Sequence, residues 1–566
     1  MNTLPVLRPD RLPLLPAAGA LVAGWLSLTP SLLPRDAVFQ GLLAAVSALL
    51  GYGVFAAIGW ALYAFGLRLT AARQRLFWRI FVGAAIVGTG AMLWLAHVWQ
   101  QEQRVNVGMP QASGADPFVA LLVAAAVFAV LLVVSRAVRA LAAWVGRQIA
   151  RVLPAKAAAA LGLVIVLWVS FAFVNDVAVG RVAERLDGSF ALVNDEFAAD
   201  TAPPTMAEVS AGQGSAVSWQ SLGRQGRIFI ANTPNEADIA EFFARNNLDE
   251  SEVVQPIRVY VGTGTTEVGI EATLTQRVDT AVAELKRTGA FERKVLNVAT
   301  GTGRGWVNEN QARALEYLWG GDTATVSVQY SHLPSWMSYL VDAQRARETG
   351  RALFDAVYDY WSTLPETERP KLVVSGESLG SYGSEGAFTG ASDLAARTDG
   401  ALWVGPTANN ELWQGFTEQR EGESPVYLPV YGGGETVRFS ADGIAWPGED
   451  AWAAPRVGYL QHANDPVTWL DFGATFTRPD FLREDRGPGV PAQMVWLPVI
   501  TTLQLAVDQL ASVVPAGQGH EFGQAPVYAW AEILPSEGWS DVAIDALAKH
   551  LAELRLSDLD ATSSSE

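Results

Sequence analysis

The stretch KLVVSGESLG, residues 371–380, decides the fold of this chain. In it an apolar strand, Leu372–Val374, runs into a turn where glycines flank Ser378, and a helix-compatible stretch follows. Glycines suit these positions because a turn this tight between strand and helix leaves no room for neighbouring Cβ atoms. Alone, the pattern Gly-x-Ser-x-Gly is weak in a chain with 52 glycines, and an ordinary Gly/Ser turn is the alternative. Its setting between a strand and a helix predicts that Ser378 is an exposed nucleophile.

Short β-type runs alternate with helical stretches around this turn. The predicted strands are Arg227–Asn232, Ile257–Val261, Val295–Thr300, Thr325–Tyr330, Lys371–Ser375, Ala401–Val404 and Val457–Gln461. The predicted helices are Ala272–Thr288, Asn308–Trp319, Tyr339–Leu364 and Gly380–Arg397. Such alternation predicts a mostly parallel sheet with helices on both faces.

A nucleophilic serine needs a base, and the chain has five histidines. His97 lies in a long apolar stretch, His550 lies in a C-terminal amphipathic helix, and His332 precedes the serine. The glycine-rich loop 517–522 carries His520 near the end of the domain, where the base of a serine triad is expected. We therefore predict His520 as the base; a solvated loop histidine is the alternative.

The acid that orients the base is expected after a late strand, between serine and histidine in the chain. Asp465 follows the predicted strand 457–461 and is our candidate. Asp471 and Asp480 are rivals, since either carboxylate follows the same strand. His462 is interpreted as a neighbour of Asp465 and not as the base.

Two backbone N–H groups are needed to bind the oxyanion that forms during acyl transfer. One is predicted to come from Leu379, the residue after the nucleophile. The other is predicted to come from Thr300 or Gly301, where the strand 295–300 ends in a glycine-containing turn. The turn 262–264 competes with it and is interpreted as structural.

Five apolar stretches fill the first third of the chain, and the mean hydropathy of the whole chain is +0.17. They are Leu12–Leu33, Val38–Leu67, Ile80–Trp99, Pro117–Val134 and Ala157–Val174. Each comes near the roughly 20 residues that a membrane-spanning helix needs, so we predict about five spans. Buried core helices are the alternative. The segment 38–67 is expected to form one helix, although Gly51 and Gly53 offer a place to break it.

Basic residues concentrate in loops 68–79 and 136–156, whereas the intervening loops are nearly neutral. Since arginine-rich loops stay in the cytoplasm, we expect a cytoplasmic N-terminus. An odd number of spans then places everything after the fifth span outside the plasma membrane.

Charge and composition exclude several classes of function. Residues 1–181 carry 14 Lys and Arg against 5 Asp and Glu, a balance of +9, so the remainder carries −27 of the total charge of −18. Residues 182–566, with their net charge of −27, would repel phosphates, which argues against nucleic-acid binding. Cysteine is absent, which excludes disulfides and thiolate metal sites. No ligand-type spacing of His or carboxylates appears, and we predict neither metal nor cofactor.

These observations predict four regions. Residues 1–181 form a transmembrane domain, 182–225 a linker, 226–555 the catalytic domain, and 556–566 a disordered tail.

Residues 225–550 resemble an actinobacterial membrane α/β-hydrolase family whose members carry an N-terminal multi-helix membrane domain. The resemblance rests on segments 256–261, 287–291, 329–331, 333–336 and 376–381, on the Asp465 and His520 segments, and on TPSLLPR at residues 29–35. It covers nearly the whole chain and implies an α/β-hydrolase domain behind a helical transmembrane bundle. Segment 303–306 departs from the shorter turn expected of the family, which leaves the oxyanion donor open.

From these features we expect a membrane-tethered serine hydrolase, esterase- or lipase-like, that acts on acyl esters of the cell envelope. The expected partner is a lipid or acyl-ester substrate; the sequence indicates no oligomeric state. An envelope acyltransferase using the same triad is one alternative. A non-enzymatic envelope scaffold or transport accessory built on a hydrolase fold is another, because fold alone does not prove activity.

Overall fold

The computed structural model describes residues 14–65, 71–154, 201–264, 272–334, 337–339, 343–511 and 514–563, with scattered residues between 157 and 168. The chain divides into two compact units. The helical unit comprises residues 1–182 and 470–515, and the sheet unit comprises residues 183–469 and 516–566. The predicted catalytic domain, residues 226–555, is therefore interrupted: its segment 470–515 belongs to the helical unit.

Short 3-10 turns aside, the elements in chain order are as follows. The helices are α1 (Leu14–Leu26), α2 (Ala37–Ala64), α3 (Ala71–Asn106), α4 (Asp116–Ile149), α5 (Gly223–Ala231), α6 (Glu236–Arg245), α7 (Leu274–Thr288), α8 (Glu309–Leu318), α9 (Ala343–Thr363), α10 (Leu379–Glu385), α11 (Ala391–Arg397), α12 (Glu411–Glu418), α13 (Pro466–Trp469), α14 (Asp480–Arg483), α15 (Ile500–Ala511), α16 (Ala525–Ile533) and α17 (Asp541–Ser563). The strands are β1 (Ile257–Val261), β2 (Val295–Thr300), β3 (Thr323–Val328), β4 (Lys371–Glu377), β5 (Gly400–Val404), β6 (Val437–Ser440) and β7 (Arg456–Leu460).

Three helices of the helical unit, α2, α3 and α4, are long and apolar enough to cross a membrane. Large apolar side chains remain exposed on them, for example Ile86 and Leu122, both at 70%. Exposed apolar surface on this scale is unfavourable in water and suits contact with lipid. The three helices therefore indicate membrane association.

The five predicted stretches fare differently. The second forms one uninterrupted helix of 28 residues through Gly51 and Gly53, which confirms the single-helix prediction. The first yields only the 13-residue α1, about 20 Å long at ~1.5 Å per residue, because the chain turns at Thr29–Pro34. That length falls short of the hydrocarbon core of a bilayer, roughly 30 Å. Most of the fifth stretch, Ala157–Val174, lies outside the described residues.

Glycine contacts bring α1 and α2 together. A Cβ built on Gly19 would lie 2.6 Å from the Gly51 carbonyl oxygen, and one built on Gly51 would lie 2.2 Å from the Gly19 oxygen. Only glycine allows two helix backbones to approach this closely, as in other membrane helix pairs.

A buried ion pair ties the segment 470–515 into the helical unit. Arg35 Nε lies 2.7 Å from Asp508 Oδ1, and neither side chain is exposed to solvent. The other carboxylate oxygen of Asp508 accepts hydrogen bonds from the backbone N–H groups of Leu32 and Leu33, at 3.1 and 3.3 Å. Gln504, also on α15, donates to the Thr29 carbonyl oxygen at 2.9 Å. The TPSLLPR segment quoted above is therefore the binding site for α15.

We expect Asp508→Asn to destabilise the helical unit by about 3–5 kcal/mol, because it leaves the buried Arg35 charge without its counter-ion. Thermal unfolding of the full-length protein in detergent measures the loss. Asp485→Asn, at an exposed position of the same segment, is the matched control and should be nearly neutral. Equal melting temperatures for Asp508→Asn and the wild type would contradict the assigned role.

Seven parallel strands form one sheet within the described part of the sheet unit. Their order is β1-β3-β2-β4-β5-β7-β6. Every residue of β1, β2, β3 and β5 is buried, as expected when helices cover both faces. One group of helices, α7, α9 and α10, packs together on the sheet, and α8, α16 and α17 form a second group. The predicted fold class, apolar helices followed by a parallel α/β sheet, is confirmed.

Two predicted elements are wrong. Arg227–Asn232 is not a strand; it belongs to the helix α5, where Gly226 lets the backbone press against the Tyr260 ring. The predicted helix 380–397 is two helices, α10 and α11, separated at residues 386–390. Helix α17 runs as far as Ser563, while the disorder expected of residues 556–566 stays a prediction.

The edges of the sheet differ from prediction as well. The four-residue strand β6 at one edge was not predicted, since VRFS is too short to show an alternation. At the other edge, the described part of the predicted linker packs onto β1. Val209 is fully buried, and Ser210 Oγ accepts a hydrogen bond from the Tyr260 N–H at 3.0 Å. Residues 201–225 are thus part of the sheet unit.

An ion-pair cluster holds β1 to α8. Arg258 donates to Glu316 through Nε at 2.6 Å and Nη2 at 2.9 Å, and through Nη1 to Glu309 at 3.0 Å. Burial alone lowers the pKa of Arg258, but the two carboxylates outweigh it and raise that pKa above its ordinary value. The cluster explains a charged residue inside an otherwise apolar strand.

Candidate active site

Ser378 occupies a strained turn between β4 and α10. Its backbone has φ 53° and ψ −122°, a conformation that residues with a Cβ rarely adopt. The Ser378 N–H donates to the Val404 carbonyl oxygen of β5 at 2.8 Å, which fixes the turn to the sheet. Such strain costs on the order of 1–3 kcal/mol and persists where the surroundings impose it, commonly at functional sites.

The two flanking glycines are required by contacts. A Cβ at Gly376 would lie 2.5 Å from the Gly380 carbonyl carbon and oxygen, and one at Gly380 would lie 2.3 Å from the Thr300 oxygen. At both positions the glycine backbone packs directly against another backbone segment, and the Cβ of any other residue would clash there. This is the physical reason for the Gly-x-Ser-x-Gly pattern in this chain.

The predicted oxyanion residues meet at the same edge of the sheet. Thr300, the last residue of β2, pairs with Gly376 of β4, and Gly301 lies against Gly380. Leu379 begins α10 and is buried. The structure thus brings Leu379, Thr300 and Gly301 around the serine turn, while the donor roles of their N–H groups stay predictions.

Asp465 and His520 form a hydrogen-bonded pair. Asp465 Oδ2 lies 2.7 Å from His520 Nδ1, and the carboxylate is fully buried. Its other oxygen accepts from the Val467 N–H at 2.8 Å, and Thr468 Oγ1 donates to Oδ2 at 3.3 Å. These contacts fix the carboxylate, which in turn orients the imidazole ring.

His520 Nε2 is the atom that would accept a proton from the serine. It is buried and has no hydrogen-bond partner among the residues that the structure describes. No hydrogen bond joins it to Ser378 Oγ among the described contacts, and such bonds are often long in unliganded enzymes. The contact between Ser378 and His520 that would complete the triad with Asp465 therefore remains a prediction.

The rival residues are engaged elsewhere. His462 Nδ1 lies 2.8 Å from the Gly519 carbonyl oxygen and Nε2 lies 3.1 Å from that of Ala441. His332 Nε2 lies 3.2 Å from Thr263 Oγ1. Asp471 accepts from the Gly473 N–H at 2.9 Å, and Asp480 pairs with Arg483. Both carboxylates belong to the helical unit.

Sequence reasoning missed two residues that hold the base. Asn464 accepts from the Gly519 N–H at 3.0 Å and donates to Gln518 at 2.8 Å, which ties the histidine loop to the residue before Asp465. At Gly405 a Cβ would lie 2.4 Å from His520 Cε1, so a glycine there makes room for the ring. Proximity of Asn464 to Asp465 was the one available signal; nothing in the sequence marked Gly405.

The pKa of His520 reflects opposing effects. Burial lowers it, since a charged ring is poorly solvated there, although 27% of the side-chain surface stays exposed. The charge of Asp465 and its hydrogen bond, followed by Glu377 and Glu521, outweigh burial and raise the pKa of His520 to about 9. A base must be neutral to accept a proton, so the active form is populated toward alkaline pH.

We therefore expect kcat/KM to rise about tenfold per pH unit at neutral pH and to level off near pH 9. Glu377→Gln removes one of the charges that raise the pKa of His520, so the rise should move to lower pH. The measurement is the pH profile of ester hydrolysis. Glu411→Gln, a mostly exposed site paired with Arg347, should leave the profile in place. An acid limb that Glu377→Gln does not move would disprove this electrostatic origin.

A parallel sheet whose β4 runs through a glycine-flanked serine turn into a helix defines an α/β-hydrolase fold. The sequence profile of an α/β-hydrolase family matches residues 257–547, and the profile of the family's N-terminal region matches residues 28–234. The chain belongs to this α/β-hydrolase family. No curated protein and no solved structure matches it.

Proposed function

We propose that this protein is a membrane-tethered serine hydrolase that forms an acyl-enzyme on Ser378 and acts on acyl esters of the cell envelope. One observation carries the proposal. Ser378 occupies a strained, glycine-flanked turn at one edge of the sheet, where β4 ends. The parallel strand β7 ends at the same edge, and the chain then continues to Asp465, which is hydrogen-bonded to His520. In α/β-hydrolases a strained turn of this kind exposes the hydroxyl group of the nucleophilic serine.

In the proposed reaction His520 Nε2 takes the proton of Ser378 Oγ while the oxygen attacks the ester carbonyl. N–H groups of Leu379 and of the Thr300–Gly301 turn bind the oxyanion. The tetrahedral intermediate collapses, the alcohol leaves with the proton from the histidine, and an acyl-enzyme remains. Water then repeats the sequence and releases the acid.

The helical unit contains three helices that are long and apolar enough to cross a membrane among the described residues. They support the proposal that the substrate is an ester at the bilayer surface. A tethered site meets lipid esters at high local concentration, while soluble esters must diffuse to it. Hydrolysis and acyl transfer share the acyl-enzyme and differ in the acceptor that resolves it.

An ester panel tests the activity and its substrate class. Purified full-length protein in detergent is assayed with p-nitrophenyl esters from acetate to palmitate, with and without an excess of glycerol. We expect Ser378-dependent turnover that favours long chains; transfer to glycerol in preference to water would identify the acyltransferase. No turnover of any ester by folded protein would favour the scaffold.

Protease accessibility tests the envelope side of the proposal. The arginine-rich segments 68–79 and 136–156, which form ends of α3 and α4 over much of their length, are expected to face the cytoplasm, which leaves the sheet unit outside. Protease added to intact spheroplasts should then digest the sheet unit and spare a tag on the N-terminus. A sheet unit protected until the membrane is opened would restrict the site to cytoplasmic esters and overturn the envelope assignment.

A further inference from the structure

The helical unit encloses an apolar cavity of about 380 Å³ between α1, α2, α3 and α4. Ten of its twenty lining residues are Ala or Gly, among them Gly24, Ala48, Ala85 and Ala124, one from each helix, and none of the twenty is charged. The volume falls within the roughly 300–1,000 Å³ typical of small-molecule sites. Small side chains on four helices thus leave room for a ligand.

The character of the cavity limits its occupant. An apolar cavity stays dry and takes up apolar ligands instead of water. Leu121 of α4 lines the cavity yet keeps 40% of its surface exposed, so the cavity reaches the outer surface of the helices. On that helix Leu122 and Val130 are 70% and 62% exposed, as expected of a lipid-facing surface. Hydrocarbon from a bilayer can therefore enter from the side.

A second, smaller pocket of about 40 Å³ adjoins the cavity, since both are lined by Leu28, Leu93 and Ala120. Its lining is mainly apolar but includes five polar residues, and it is called the polar pocket below. Its other lining residues include His97 and Gln100 of α3. Among the residues that the structure describes, the only polar contact of the His97 ring is a marginal one of 3.5 Å between Nε2 and Gln101 Nε2. The Gln100 amide oxygen accepts from the Arg35 N–H at 2.9 Å, and its nitrogen donates to Gln103 Oε1 at 3.4 Å. The second N–H of that nitrogen and the His97 ring can hydrogen-bond to a ligand oxygen.

The guanidinium of Arg35 also lines the polar pocket, but its charge is compensated. It pairs with Asp508 at 2.7 Å and donates to Gln40 Oε1 at 2.6 Å. Asp116 is also among the residues that line this pocket. An anionic group such as a phosphate or an ionised carboxylate finds no uncompensated cation here, whereas a protonated carboxyl group or an ester finds hydrogen-bond donors.

We propose that the helical unit binds one fatty-acyl chain, with the hydrocarbon in the cavity and a carboxyl or ester group in the polar pocket. At about 30 Å³ for a water-sized group, the cavity holds roughly a dozen carbon atoms. By the same measure the polar pocket holds one or two oxygen atoms, which excludes a phosphodiester headgroup. The site belongs to the helical unit alone and does not depend on the chemistry of Ser378.

Photo-crosslinking tests the site directly. The probe is lauric acid with a diazirine on its chain, irradiated with full-length Ser378→Ala protein in lipid nanodiscs, and adducts are mapped by peptide mass spectrometry. We expect saturable labelling of cavity-lining peptides, competed by lauric acid and methyl laurate and not by lysophosphatidylcholine. Ala124→Phe and Ala48→Phe fill the cavity and should each reduce labelling at least tenfold.

Leu122→Phe adds the same ring on the exposed face of α4 and should label like the parent protein. Melting temperatures of all variants show whether the bundle stays folded. If one of the two filling variants is misfolded, the labelling of the other variant tests the proposal. Labelling that does not saturate, that falls on exposed faces of α3 and α4 alike, or that survives both filling variants would overturn the proposal. Because the parent carries Ser378→Ala, none of these outcomes bears on the catalytic assignment.

Discussion

Ser378→Ala is expected to abolish ester hydrolysis, with a fall in kcat of about 10³- to 10⁶-fold. The substitution removes the oxygen that attacks the substrate and leaves every other group of the site in place. It should not unfold the protein, because alanine has the same Cβ as serine and meets the same strain at φ 53°. The measurement is kcat for the best ester of the panel, with the melting temperature recorded in parallel.

Ser362→Ala is the matched control for that experiment. Ser362 is exposed on α9 and its hydroxyl donates to the Asp359 carbonyl oxygen at 2.9 Å. This variant should retain full activity. Residual activity of folded Ser378→Ala within tenfold of the wild type would remove the serine from the mechanism.

Asp465→Asn is expected to reduce kcat/KM by about 10⁴-fold. An asparagine keeps the size of the side chain but not its charge, and it no longer fixes the tautomer in which His520 Nε2 accepts a proton. Loss of the carboxylate should also lower the pKa of His520, because the charge of Asp465 and its hydrogen bond are what overcome burial. The residual activity should then level off at a lower pH than in the wild type.

Asp480→Asn distinguishes the assigned acid from its sequence rival. Asp480 pairs with Arg483 at 3.3 Å on the helical unit, and both side chains are about half exposed. We expect wild-type kinetics from this variant. Loss of activity in Asp480→Asn with retention in Asp465→Asn would reverse the assignment.

Strong local signals made much of the sheet predictable. The bounds of β1 and β2 agree with the sequence prediction, because each is a short apolar run closed by turn residues. The error at residues 227–232 has a specific cause: Phe229 and Ile230 are both buried although they are adjacent, which a helix permits and a half-buried strand does not. Periodicity cannot resolve a segment this short.

In the candidate site, too, features with a local sequence pattern could be predicted, whereas features that depend on contacts between distant residues could not. The serine turn could be predicted because its sequence pattern lies within five residues, at Gly376–Gly380, although the contact that requires a glycine at 380 comes from the distant Thr300. The pairing of Asp465 with His520 rested on chain order, and the structure places the two side chains in contact across 55 positions. Gly405 and the membership of segment 470–515 in the helical unit could not be predicted, because both depend on contacts between residues far apart in sequence.

Labelling with a fluorophosphonate tests the central claim most directly, since the reagent forms a covalent bond only with an activated serine. Full-length wild-type protein is treated in detergent at pH 9, near the pKa of His520, and the adduct is located by peptide mass spectrometry. We predict a single adduct on Ser378 that is absent from His520→Ala. An adduct on another serine, or none on folded wild-type protein, would contradict the assignment of Ser378 as the nucleophile.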